Sequence, residues 1–109
     1  MWLFTNTGFV SAVSEGKDLM VRARDKQSLE PIAESAKVNI IPTPKNDYPY
    51  RVIVTHEFFA QWVAHMAINI GYKNFKSEVA STRGHGFAHP LMDVWSAMHK
   101  VEDQGARNC

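Results

Sequence analysis

The sequence predicts an α+β domain, an antiparallel sheet of about five strands with helices packed on one face. Three observations carry this reading. Short β-rich runs near the start are separated by turn residues. Phe59, Trp62, Val63, Met66 and Ile70 recur at helical spacing on one stripe. A second stripe, Leu91, Val94, Trp95 and Met98, follows near the end of the chain. At 109 residues the chain is near the modal domain size. Residues 1–102 are expected to form a single domain, with 103–109 a polar, frayed tail.

Trp2 to Phe4, then Asn6-Thr7-Gly8, then Phe9 to Val13 reads as a hairpin. A break at Glu15-Gly16-Lys17-Asp18 leads into Leu19 to Arg24. There the period of two puts Leu19, Val21 and Ala23 on one face, and Met20, Arg22 and Arg24 on the other. Ser28 is placed as the cap of a short helix striped by Leu29, Ile32, Ala33 and Ala36. Pro31 falls in its first turn, where the missing N–H is harmless. Val38 to Ile41 is a fourth strand, ended by Pro42 and Pro44. Tyr48 to Val54 is a fifth, with Arg51 and Ile53 alternating against Tyr48, Tyr50, Val52 and Val54. Pro49 restricts that strand to an edge, or marks its first residues.

The main helix is expected from Glu57 to Ile70, closed by Gly71 in the left-handed conformation. Gln61, His65 and Asn69 recur opposite its stripe and should face water. Asn74 caps a short helix carrying Phe75 and Val79, and Ser81 to Gly86 is a loop. Pro90 opens the last helix, with Leu91, Val94, Trp95 and Met98 facing inward.

Composition narrows the function classes. Twelve Lys and Arg against 11 Asp and Glu leave a net charge of +1, too little for general affinity to DNA. A lone cysteine, Cys109, forms no internal disulfide and fits a reducing compartment. The N-terminus lacks a signal-peptide pattern, and no apolar run approaches the ~20 residues a bilayer requires. A cytoplasmic protein without membrane association is the expectation.

Catalytic and metal signals are weak. The serines lack a nucleophile-elbow context, and the acids are scattered singly. His85 and His89 have i,i+4 spacing, but Gly84 and Gly86 argue against a helix there, and Pro90 favours an extended His89. The expectation is a non-enzymatic chain with no catalytic residue, no metal and no cofactor.

Binding remains. Arg22 and Arg24 share a strand face, and Arg51 lies on another strand with Tyr48 and Tyr50 nearby. Arginine and tyrosine anchor many protein interfaces, so these five residues form the candidate partner-binding surface. The same arrangement resembles sheet faces that bind single-stranded nucleic acid. Acidic neighbours dilute the field, and no RNP1-type pattern is present, so nucleic acid is the alternative reading. Ile68, Met92 and Met20 lie off the stripes and could add to an interface, with self-association left open.

The blocks Met1-Trp2-Leu3-Phe4-Thr5-Asn6-Thr7-Gly8-Phe9-Val10-Ser11-Ala12-Val13, Leu19-Met20-Val21-Arg22-Ala23-Arg24 and Asp47-Tyr48-Pro49-Tyr50-Arg51-Val52 also carry a resemblance. So do Tyr72-Lys73-Asn74-Phe75-Lys76 and Val94-Trp95-Ser96-Ala97-Met98-His99. In this order they resemble a group of small uncharacterised proteins found in bacteriophages, prophages and bacteria. Gly84 to Pro90 departs from that group, which continues as helix there. The resemblance implies a small accessory protein of mobile elements that binds a host or phage protein. Inhibition of a host defence system is one form such binding takes. It supplies no catalytic residues.

Overall fold

The computed structural model describes residues 1–103; most of the expected polar tail, 104–109, lies outside the described residues. Five strands form one antiparallel sheet in the order β1-β2-β3-β5-β4. They are β1 (Trp2–Thr5), β2 (Gly8–Glu15), β3 (Asp18–Ala23), β4 (Ile41–Pro42) and β5 (Tyr50–Val54). The helices are α1 (Glu30–Ala36), α2 (His56–Ile68), α3 (Phe75–Arg83) and α4 (His85–Met98). The chain divides into two compact units, Met1–Tyr72 and Lys73–Cys109, where the sequence reading places one domain.

In the first unit the period-two alternation decides which side of the sheet is covered. Val10, Ala12, Val21, Ala23, Val52 and Val54 face inward and are buried with Leu29, Ile32, Ala33, Phe59 and Trp62. Helices α1 and α2 supply the last four of these, so both cover the same face. On α2 the rings of Phe59 and Trp62 lie 6.0 Å apart. Thr55 caps α2, its hydroxyl accepting from Phe58 N at 3.0 Å.

The β1–β2 hairpin turns on Asn6-Thr7, with Thr5 opposite Gly8. Gly8 is required by close approach: a Cβ there would stand 2.6 Å from Ser28 Cβ and 2.8 Å from Ser28 Cα. The short 3-10 turn Lys26–Ser28 packs against the hairpin at this point, and the Phe9 N–H donates to Ser28 Oγ at 3.3 Å.

Four local expectations are corrected. Ser28 does not cap α1; its hydroxyl donates to Asp25 Oδ1 at 2.6 Å, and Leu29 occupies the cap position. The fourth strand is only Ile41–Pro42, because Pro42 ends the ladder it barely enters. Gly71 is not left-handed, and α2 ends at Ile68. Asn69 closes that helix instead, its side-chain amide donating to His65 O at 2.8 Å. Ile70 therefore leaves the stripe and is 55% exposed.

The second unit is a helical hairpin of α3 and α4. Asn74 caps α3 as expected, accepting from Ser77 N at 2.9 Å. Gly84, at φ 87, ends α3 and opens α4, so the helix begins at His85 rather than at Pro90. The expected loop at Ser81–Gly86 shrinks to this single residue. A positive φ is open to glycine at little cost, and one such residue reverses the chain. Pro90 lies inside α4.

Candidate binding surfaces

The outer face of the sheet carries the arginines. Register places Trp2, Ser11, Arg22 and Arg51 in one row across β1, β2, β3 and β5. Phe4 pairs with Phe9 in the row on one side of it, and Val13, Met20 and Ile53 form the row on the other side. Helices α1 and α2 pack on the opposite face, so this side of the first unit has no helix of its own.

Tyr48 organises the arginine end. Its ring lies 4.4 Å from the Arg22 guanidinium and 4.3 Å from that of Arg24, and the residue is only 5% exposed. Arg24 also donates to Asp47 Oδ1 at 3.0 Å and to Asp47 O at 2.6 Å. The hydrogen bond to Asp47 raises the Arg24 pKa above its ordinary value, and that charge is answered locally. Tyr50 points the other way. It pairs with the buried Ala23 and packs against the core.

The five candidate residues are therefore divided. Arg22, Arg24 and Arg51 gather on one side around a buried Tyr48, and Tyr50 belongs to the inner face. The sequence expectation of an exposed tyrosine beside the arginines is corrected on both counts. Physically, two guanidiniums close over the Tyr48 ring and exclude water from it.

Arg22 and Arg51 differ from Arg24. Arg22 Nη2 donates to Ser11 Oγ at 2.8 Å, while its buried Nε has no hydrogen-bond partner among the described residues. Arg51 donates to Thr43 Oγ1 at 3.2 Å, to Met20 Sδ at 2.9 Å and to Tyr48 O at 3.4 Å. All these acceptors are neutral. Sequence reasoning missed the aromatics beside this row. Trp2 is 69% exposed, its ring edge-on to Phe9 at 5.8 Å, and Phe9 stacks on Phe4 at 4.5 Å. Extending the period-two reading from β3 back through β1 and β2 would have placed them there.

The second surface is the C-terminal half of α4. The stripe expected to face inward instead faces solvent. Trp95 is 57% and Met98 56% exposed, and Val94 and Val101 are exposed with them. The reason is length. Helix α3 has 9 residues and α4 has 14, so at 1.5 Å per residue α4 outruns its neighbour by about 7 Å. Ala88 is buried and Leu91 half-buried where α3 lies alongside, and the overlap ends at the first turn of α3, so the last turns of α4 extend past it. Lys76, in the first turn of α3, reaches the Trp95 ring at 5.2 Å, and the His99 ring meets it edge-on at 4.5 Å. His99 Nδ1 in turn bonds Glu102 Oε1 at 2.7 Å.

Because α4 starts at His85, His85 and His89 do share one helical face, contrary to the sequence expectation. Both are exposed and line a groove of about 620 Å³ between α3 and α4 with Asn74, Ser77 and Met92. No cluster of three or more His, Cys, Asp or Glu that could hold a metal occurs among the described residues. No helix among the described residues is long and apolar enough to cross a membrane.

Comparisons with protein-family models, with curated proteins and with solved structures return no match.

Proposed function

We propose that this chain is a small non-enzymatic accessory protein that binds a host or phage protein, and that the apolar end of α4 is its docking surface. The observation that carries the reading is the exposed run of Val94, Trp95, Met98 and Val101 on one amphipathic segment. A helix that presents its apolar stripe to water is the form recognised by helix-in-groove partners. Trp95 supplies the kind of anchor that dominates such interfaces. The phage-type sequence resemblance supports a host or phage partner, and interference with a host defence system follows from it as the finer proposal.

The test is affinity capture from the natural host with the wild-type chain and with the double variant Trp95→Ser, Met98→Ser. The reading expects a defined protein retained by the wild type and lost with the variant, while both unfold at the same temperature. Retention that survives the double substitution would place the docking surface elsewhere.

A further inference from the structure

We infer that the outer face of the sheet is a second binding site, for single-stranded nucleic acid, with Arg22 and Arg51 taking a backbone phosphate and Trp2 stacking on a base. It rests on observations independent of α4.

Charge comes first. Arg22 and Arg51 stand directly opposite each other on adjacent antiparallel strands. Like charges in that position repel, and among the described residues neither guanidinium has an ion pair. The acceptors these two guanidiniums meet are Ser11, Thr43, the Met20 sulfur and the Tyr48 carbonyl, all neutral. Asp47, at this end, is held by Arg24. Two adjacent positive charges with neutral partners are an anion site, and guanidinium geometry fits a phosphate.

Aromatics decide which anion. Trp2 lies in the same register row as Arg22, two strands away, which at strand spacing is about 10 Å. It is the most exposed of the aromatic side chains on this face, and it meets the Phe9 ring edge-on while Phe9 stacks on Phe4. An exposed ring and paired arginines on one open sheet match the two contacts that single strands offer, base faces and phosphates. An acidic peptide offers the charge and has no planar group for Trp2. Of the remaining outward residues, Val13, Met20 and Ile53 are apolar, and the acids of the face, Glu15 and Asp18, pair with each other two rows from the arginines at the far end of β2 and β3.

The experiment is fluorescence anisotropy of labelled oligo(dT) and oligo(rU) with the full chain at low salt, followed by a salt titration. Trp2→Ala, an exposed position that leaves the fold intact, should weaken binding about tenfold. Arg51→Gln should weaken it and lower the slope of log K against log salt by about 1. Trp2 fluorescence should be quenched by the oligonucleotide. A labelled poly-glutamate peptide serves as the second probe. Equal binding of that peptide, no binding of either oligonucleotide at low salt, or unchanged affinity in Trp2→Ala would each overturn the inference.

Discussion

At the scale of single residues, the two tryptophans placed on helical stripes behave oppositely. Trp62 is 6% exposed and stacks with Phe59 in the core, so Trp62→Ala should cost roughly 3–5 kcal/mol in denaturant unfolding. Trp95 is exposed against Lys76 and His99, and Trp95→Ala should change stability by less than about 1 kcal/mol. A large loss for Trp95 would show that it is covered in solution. Gly8 is the other sensitive position. Any Cβ collides with Ser28, whose hydroxyl is already committed to Asp25 and to the Phe9 N–H, so Gly8→Ala should lower stability by about 1–3 kcal/mol. An unchanged midpoint for Gly8→Ala would mean that the hairpin and the Lys26–Ser28 turn are not packed together. Asp47→Asn, by contrast, should leave the thermal midpoint essentially unchanged, because the ion pair with Arg24 is solvated.

At the scale of elements, strands were more legible than helix ends. Period two placed Val21 and Ala23 inward and Met20 and Arg22 outward, and the register agrees. The hairpin at Asn6-Thr7-Gly8 and the Asn74 cap were equally direct, since each rests on chemistry local to a few residues. Ends set by competition were not. Ser28 had a nearer acceptor than a helix N–H, Asn69 closed α2 before Gly71 could, and Gly84 alone made the turn allotted to a six-residue loop. The burial of the α4 stripe was illegible for a different reason. Periodicity shows that a helix has an apolar face, but the length of its neighbour decides whether that face is covered. The realised i,i+4 geometry of His85 and His89 likewise gives only two metal donors on a helix face. Elemental analysis of untagged protein should find no stoichiometric zinc; one zinc per chain, lost in His85→Ala, would show a third ligand at that groove.

At the scale of the whole molecule, every buried residue of the core cluster falls between Val10 and Trp62, and the partly buried residues packed on it reach only to Met66. The first unit thus contains a complete core, and a fragment of residues 1–72 should unfold cooperatively, as small domains with one core do. A broad, non-cooperative transition would show that the core depends on the helical hairpin. This division gives each surface its own support, the sheet face on the first unit and the α4 end on the second.

The proposed docking role of α4 is tested most directly by a photoreactive phenylalanine analogue in place of Trp95, irradiated in the natural host. The same analogue at Gln61, on the water-facing side of α2, serves as control. A covalent adduct with one host or phage protein from position 95, and none from position 61, is the expected result. An adduct only with a second copy of this chain, or no adduct from position 95, would contradict it.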